Sequence, residues 1–220
     1  MERTANQQGQ PMASGSCLCS DAEMNPFCKS LNEQTRCKLC QASRQLLIKR
    51  GAMLPVSDIS SEILVVKSGV VAAALSTENG KTQGVFLAQK GYVANLIRIV
   101  GDTERYDVAF NEPQFGCAFT DVRACAIQIE AVRDCLREDP EFSWKMICEL
   151  SDRCKDVMKS LTLLTEMSGA EKVAWVLDEL EKMGVDLTTV THEIIGRMLN
   201  MNRVSVTRVM ASVLEQRSRR

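Results

Sequence analysis

The spacing of the hydrophobic positions changes near residue 130. Between residues 46 and 129 they form short runs separated by turn residues, as in Ile63–Val66 and Val70–Leu75 on either side of Gly69. Asn79–Gly80, just before the next apolar run, is a strong signal for a two-residue β-hairpin. Several short strands with turn signals at this spacing predict a small β-barrel or β-sandwich.

After residue 130 the apolar positions recur every three or four residues, which is typical of helices. Asp139–Pro140 is a favourable start, with Asp as N-cap and Pro at the first helical position, so we expect a long helix over residues 139–167. Ser168 and Glu171 form a capping box for a further helix. The narrow seam of the long helix favours pairing with a second copy of the chain over packing on its own sheet. This seam comprises Phe142, Met146, Leu150, Cys154, Val157, Leu161 and Leu164.

Residues 191–216 predict two helices joined by a short turn. Gly196 lies where the helices approach closely, and Asn200–Asn202 supplies the break because Asn tolerates the left-handed conformation. Their apolar stripes comprise Ile194, Ile195, Met198 and Leu199 in the first helix and Val206, Val209, Met210 and Val213 in the second. This pattern is typical of a helix-turn-helix, the alternative being an ordinary helical hairpin.

The other face of the second helix is polar and basic, and it comprises Arg203, Ser205, Thr207 and Arg208. Such a face can lie in the major groove of DNA, although it can also be only a solvated surface. The distribution of charge favours DNA. Residues 191–220 hold six arginines and two glutamates, a net +4, whereas the whole chain of 220 residues has a net charge of −1. The positive charge is therefore concentrated at the C-terminal end.

Composition limits where the protein acts. The polar start MERTANQQGQP is unlike a signal peptide, and no apolar run approaches the roughly 18 residues of a membrane span. We therefore expect a cytoplasmic protein without membrane contact. Five of the ten cysteines lie between residues 17 and 40. In a cytoplasmic chain they indicate metal ligation, thiol chemistry or core packing rather than structural disulfides.

The order of a β-domain, a long helix and a helix-turn-helix resembles the CRP/FNR family of bacterial transcription regulators over residues 31–216. The segments that carry the resemblance are IKRGAMLPVSDISSEILVVKSGVV (48–71), VFLAQKG (85–91), SGAEKVA (168–174) and VTHEIIGRMLNMNRVSVTR (190–208).

The resemblance implies an α+β fold with four parts. These are a disordered, cysteine-bearing segment (1–30), a cupin-like β-roll sensor domain of the cyclic-nucleotide-binding type (31–138), a dimerisation helix (139–167) and a helix-turn-helix domain (168–220). It implies a homodimer that binds two-fold symmetric double-stranded DNA, with RNA polymerase as a further partner. Family members usually carry a β-hairpin wing after the recognition helix, and this sequence ends at LEQRSRR without one. Arg217, Arg219 and Arg220 are candidates for backbone contacts in its place.

Many family members carry Glu-x-x-Ser-Arg on the recognition helix, where the Glu accepts a hydrogen bond from cytosine. Here Arg208 matches the Arg, Thr207 replaces the Ser and Val204 replaces the Glu. Because valine packs against a thymine methyl and accepts no hydrogen bond, we expect A·T-rich half-sites. Arg203 and Ser205 are further candidates for contacts with bases or phosphates, and Arg208 is the strongest candidate for direct readout.

The resemblance offers two kinds of signal. No cyclic nucleotide is expected, because no Gly-Glu pair follows Gly91 and Arg105 is followed by Tyr106 rather than by Ser or Thr. The FNR branch instead binds a [4Fe–4S] cluster through three N-terminal cysteines and one distant cysteine. The matching residues here are Cys17, Cys19, Cys28 and Cys125.

Three interpretations of the signal are compatible with the sequence. They are this iron–sulfur cluster, a zinc site or thiol–disulfide switch that also draws on Cys37 and Cys40, and a small organic effector in the β-roll. Cys135, Cys148 and Cys154 are expected to be small core residues. A thiol oxidoreductase is disfavoured, because Cys37–Cys40 lacks the βαβ context of such enzymes and no catalytic triad is evident. We therefore expect no enzymatic activity. His192, the only histidine, is expected to cap a helix or contact phosphate.

Overall fold

The computed structural model of the chain describes residues 24–54, 61–76, 82–100 and 113–219. Cys17, Cys19, the hairpin signal at Asn79–Gly80 and the Arg105–Tyr106 pair lie outside the described residues, as does Arg220.

The described strands form two separate four-stranded sheets, so the β-sandwich is confirmed and the barrel alternative is wrong. In the first sheet the order is β1 (Ser43–Ile48), β8 (Val122–Gln128), β3 (Glu62–Ser68) and β6 (Val93–Ala94). In the second sheet it is β2 (Met53–Leu54), β7 (Pro113–Ala118), β4 (Val71–Ser76) and β5 (Thr82–Ala88). All of these strand pairs are antiparallel.

The helices are α1 (Pro26–Lys29), α2 (Glu33–Gln41), α3 (Ile97–Val100), α4 (Ile129–Glu138), α5 (Pro140–Glu166), α6 (Gly169–Lys182), α7 (His192–Leu199) and α8 (Arg203–Ser218). Two helices precede the strands, α3 lies between β6 and β7, and the others follow β8. The expected cap of the long helix is present, because the backbone N–H of Phe142 donates to Asp139 Oδ1 at 3.1 Å. The expected capping box of α6 is present as well. None of the described helices combines the length and apolar character that crossing a bilayer requires.

Apolar clusters lie on both faces of each sheet. On β3, Leu64 and Val66 face the core between the sheets, whereas Ile63 and Val65 belong to a second cluster on the outer face of the first sheet. On the second sheet, Phe119, which follows β7, belongs to a third cluster on the outer face. This explains why the sequence of these strands reads as continuous apolar runs instead of an alternation of apolar and polar residues.

Different helices cover the two outer faces. The outer cluster of the first sheet includes Phe27 of α1, Leu39 of α2 and Val132 of α4. The outer cluster of the second sheet includes buried residues of α6, α7 and α8. The long helix α5 contributes Phe142 to the first of these clusters and Leu164 to the other.

The N-terminal segment of residues 1–30, expected to be disordered, is ordered in its described part. Met24 and Phe27 are buried, and Asn25 caps α1 by accepting a hydrogen bond from the backbone N–H of Cys28 at 2.8 Å. The burial of Phe27 in the outer cluster of the first sheet outweighs the weak helix propensity of so short a segment.

Candidate nucleic-acid interface

The turn between α7 and α8 has the geometry that its sequence predicts. Thr191 caps α7, and Asn202 caps α8 by accepting from the backbone N–H of Ser205 at 2.7 Å. Asn200 has φ 51° and ψ 40°, the left-handed conformation that ends α7. A Cβ on Gly196 would lie 2.6 Å from the carbonyl oxygen of Met201, so only glycine allows this close approach.

The apolar sides of the two helices form one core with α6 and the second sheet. The predicted stripe residues are buried, with Val209 only half-buried, and all belong to or pack against the outer cluster of the second sheet. Two polar contacts link the turn between β1 and β2 to the C-terminal part, because Arg50 Nη1 donates to the carbonyl oxygen of Thr189 and Arg197 Nη1 donates to that of Gly51. The helix-turn-helix is therefore packed on the sheet.

The opposite face of α8 is open to solvent. Arg203, Val204, Thr207 and Arg208 are exposed, and the side chain of Val204 is 66% exposed in spite of being apolar. Ser205 is only half-exposed, and its backbone N–H is bound by the Asn202 cap. Four of the five predicted contact residues thus share one surface, and Ser205 lies beside it.

The arginines of this region fall into two groups. Arg197 forms an ion pair with Glu193, Arg219 with Glu215, and Arg217 with both Asp178 and Glu181 of α6. In the described part of the chain, Arg203 and Arg208 form no ion pair with a carboxylate. The free positive charge therefore lies on the exposed face of α8, where a phosphate backbone would be attracted.

Arg217 does not fit its expected role as a substitute for the wing. Its side chain is only 18% exposed, and its guanidinium links α8 to the two carboxylates of α6. Local sequence spacing did not indicate these ion pairs, because Asp178 and Glu181 lie more than 35 residues away in the chain.

Two different apolar stripes run along α5. Four of the seven residues of the predicted seam face the chain's own core, since Phe142, Met146 and Leu164 are buried and Leu150 packs against the outer cluster of the first sheet. The exposed stripe is a second one, spaced alternately by three and four residues. We name this stripe the exposed seam, and it comprises Trp144, Ile147, Ser151, Cys154, Met158 and Leu161.

The predicted seam is therefore wrong at the residues that face the core, whereas Cys154 and Leu161 also belong to the exposed seam. Both stripes have helical spacing, so the sequence alone could not distinguish the stripe that the sheets cover. The expectation that Cys148 and Cys154 are core residues is wrong for the same reason, because both are exposed. Cys135 and Cys117 are buried, and this burial raises the pKa of each thiol.

Two of the four predicted cluster ligands lie at the same apolar cluster. Cys125 on β8 belongs to the outer cluster of the first sheet, and Cys28 on α1 packs against the same cluster. Cys37 and Cys40 lie one turn apart on α2. Among the residues that the structure describes, no group of three or more potential ligands is arranged to hold a metal ion. The described residues therefore do not by themselves complete a four-thiolate site, and the predicted [4Fe–4S] ligand set includes Cys17 and Cys19, which lie outside them.

Comparison with known proteins supports the fold. No family model matches the chain. It is similar to the anaerobic regulatory protein of Haemophilus influenzae, with 22% identity over 184 residues that cover 80% of this chain and 68% of that protein. A solved structure from Eubacterium rectale, assigned to the CRP/FNR family of transcriptional regulators, has a TM-score of 0.66 and 18% identity, and covers 87% of each chain.

A CRP/FNR transcriptional regulator from Thermus thermophilus has a TM-score of 0.56 and 18% identity, covering 79% of this chain and 87% of that one. At these identities the likeness establishes the fold. The chain has the CRP/FNR architecture of an N-terminal β-sheet domain followed by C-terminal helices, and the predicted resemblance is confirmed at that level.

Proposed function

We propose that the protein is a sequence-specific, DNA-binding transcription regulator that acts as a homodimer. The observation that carries this proposal is the exposed face of α8, where Arg203 and Arg208 stand without ion-pair partners among the described residues. Because the other described arginines of the region are paired with carboxylates, the free charge coincides with the face that a helix-turn-helix presents to the major groove. No enzymatic role is proposed.

The exposed seam of α5 supports the dimer. Trp144, Ile147 and Met158 are each more than half exposed, which is unusual for large apolar side chains on one stripe. Alternating steps of three and four residues are those of a coiled coil, in which each copy covers the stripe of the other. A parallel pair of α5 helices would place two recognition helices on opposite sides of a two-fold axis, as a palindromic DNA site requires.

The residues on α8 favour A·T-rich half-sites. Val204 and Thr207 offer methyl groups to thymine, and Arg208 is the residue proposed for direct readout. Ser205, with Arg203, is assigned to contacts with the phosphate backbone, because it lies at the edge of the surface. RNA polymerase is the partner through which such a regulator would act.

A redox or oxygen signal at the N-terminal cysteines is the proposed effector. When bound, a [4Fe–4S] cluster would make the protein sensitive to oxygen. Cys28 and Cys125 would hold it from α1 and β8, with Cys17 and Cys19 as the other ligands. Because α1 and the start of α5 share one apolar cluster, a change in the position of Cys28 would also shift the packing of Phe142. Zinc or a disulfide at Cys37 and Cys40 would act on α2, the helix that carries both residues.

DNA binding is tested by selecting duplexes from a random library with the full chain and measuring the affinity of the enriched duplex. Arg208→Ala should weaken it by about 1–3 kcal/mol and relax base preference at one position. Arg219→Ala is the matched control, because Arg219 is the C-cap of the same helix but is paired with Glu215. Enrichment of no duplex, or equal effects of the two variants, would contradict the proposal.

The dimer is tested by sedimentation and by mild oxidation. Cys154 lies on the exposed seam, where two-fold symmetry would bring the two copies of its thiol together, whereas Cys148 lies beside it. Oxidation should crosslink the dimer in the wild type and in Cys148→Ser but not in Cys154→Ser. A strictly monomeric protein would overturn the homodimer.

The cluster is tested by anaerobic purification with iron, sulfide and zinc analysis. Cys28→Ser and Cys125→Ser should each abolish iron binding, and Cys148→Ser should retain it. Zinc without iron would transfer the proposal to a zinc site. A metal-free protein whose DNA affinity still responds to a thiol oxidant would support the disulfide switch instead. A metal-free protein whose DNA affinity does not respond to oxidants would support a small organic effector.

A further inference from the structure

His192, the only histidine of the chain, contacts the recognition helix. It is the first residue of α7, and its Nδ1 lies 2.8 Å from the hydroxyl oxygen of Thr207 on α8. The same hydroxyl lies 2.9 Å from the carbonyl oxygen of Arg203, one turn earlier on α8. The three groups form a short chain of hydrogen bonds across the helix-turn-helix.

The chemistry of these groups fixes the direction of both bonds. A threonine hydroxyl has one hydrogen and two lone pairs, and a carbonyl oxygen only accepts. The hydroxyl hydrogen of Thr207 therefore goes to Arg203, and His192 must donate to Thr207 from Nδ1. His192 is then either the Nδ1–H tautomer or the imidazolium form.

This direction has a consequence for DNA recognition. Because its only hydrogen is used within the protein, Thr207 has no donor left for a base edge. The side chain of this exposed residue can then offer only its γ-methyl and the second lone pair of its hydroxyl oxygen. Val204, three residues earlier on the same exposed face, also offers methyl groups. Two methyl-bearing side chains on one face match the thymine methyl of an A·T pair in the major groove.

We infer that His192 is a positioning residue for base specificity, which holds Thr207 in the rotamer that reads a thymine methyl. The inference rests on the proposed function, since it requires α8 to bind DNA. It assigns to a residue of the first helix a role in sequence preference that does not need direct contact with a base.

The hydrogen bond is tested first in the DNA-free protein. Because the chain has one histidine, ¹⁵N NMR of its imidazole reports the tautomer of His192 without ambiguity. At alkaline pH the wild type should show the Nδ1–H form. Thr207→Val keeps the shape of the side chain but removes the acceptor. In this variant the imidazole of His192 should no longer prefer the Nδ1–H form. An Nε2–H form in the wild type would overturn the inference.

Specificity is tested on the duplex selected from the random library, with each thymine replaced singly by deoxyuridine. The wild type should show two methyl-sensitive positions in each half-site, each with a roughly fourfold loss, as expected for one buried methyl group. His192→Leu should abolish the methyl sensitivity at the position read by Thr207 and keep the methyl sensitivity at the position read by Val204. Val204→Ala is the matched control and should do the reverse.

His192→Asn should restore the lost sensitivity, because its amide can donate from near the position of Nδ1. A merely structural role for His192 would instead weaken binding to every duplex equally, and that result would overturn the inference. Failure of the proposed function gives a different outcome, in which no variant enriches any duplex while the imidazole still shows the Nδ1–H form. That outcome also removes the role in specificity.

Discussion

The first sheet carries the small helices α1, α2 and α4 on its outer face, whereas the second sheet carries the helix-turn-helix. Both coverings are packed through apolar clusters. The first covering is also held by polar contacts near the surface, since Asn32 Nδ2 and Thr35 Oγ1 both donate to Asp139 Oδ2 at 2.6 Å and Lys38 pairs with Glu138. These surface contacts join α2 to the end of α4 and the start of α5, and contacts of this kind can open locally.

The long helix α5 connects these two sides. Phe142 lies in the outer cluster of the first sheet and Leu164 in that of the second. Asp139, which caps α5, is also the residue that fastens α2. A displacement of the cysteine-bearing helices would therefore act on the helix that is proposed to join two copies of the chain.

The largest expected effect tests how the C-terminal helices pack on the second sheet. Phe119 is completely buried between the second sheet and the C-terminal helices, so Phe119→Ala should lower the free energy of unfolding by about 3–5 kcal/mol. Phe27→Ala should cost less, because α1 has only four residues and can collapse into the space. Urea denaturation of both variants measures the difference. Equal costs would mean that the two coverings are held alike.

The next effect tests the turn of the helix-turn-helix. Gly196→Ala would force a Cβ against the carbonyl oxygen of Met201, so stability should fall by about 1–3 kcal/mol. Gly169→Ala is the matched control, because the Cβ there would meet only the flexible end of the Met201 side chain. Thermal unfolding compares the two. Near-neutral behaviour of Gly196→Ala would show that α7 and α8 are not packed so closely.

A smaller effect, dependent on pH, tests the polar contacts between α2 and the start of α5. Hydrogen bonds from Thr35 and from the backbone N–H of Phe142 hold the pKa of Asp139 below its usual range. A lowered pKa in the folded state means that the stabilisation is fully present above the unfolded pKa of about 4 and is lost as pH falls through the folded value. Asp139→Asn should lower the urea midpoint at neutral pH.

The gap between wild type and Asp139→Asn should close as pH falls below about 4, because the wild-type carboxyl group then becomes neutral as well. Asn remains a good N-cap, so the helix start itself is preserved. Urea midpoints measured from pH 2 to pH 7 give the comparison. A gap that is constant with pH would show that the charge of Asp139 does not hold α2 on α5.

The smallest effect separates the two groups of arginines. Arg217→Ala should cost only about 0.5–1 kcal/mol of stability, as expected for partly exposed ion pairs, and should leave the salt dependence of DNA binding unchanged. Arg203→Ala should leave stability unchanged and reduce the slope of log affinity against log salt by about one. A reduced salt-dependence slope in Arg217→Ala would instead support a contact between Arg217 and the DNA backbone.

Local signals were sufficient for the secondary structure of the C-terminal half. The caps at Asp139 and Ser168, the left-handed Asn200 and the glycine at residue 196 all act through atoms within about five residues, so the sequence contains both partners of each interaction. The apolar stripes of α7 and α8 were predictable for the same reason. Two methyl-bearing and two arginine side chains of the candidate site were thus identified before the fold was known. The cap of α7 is Thr191 and not His192, so the expected capping role of His192 is wrong.

Tertiary structure decided what depends on partners far away in the chain. Which stripe of α5 is exposed follows from where the two sheets lie, and the choice between barrel and sandwich depends on pairings between distant strands. The freedom of Arg208 and the engagement of Arg217 differ only because α6 brings Asp178 and Glu181 to one and not to the other. Helical spacing and residue type are local properties, but burial and charge pairing are properties of the assembled chain, and no local pattern encodes them.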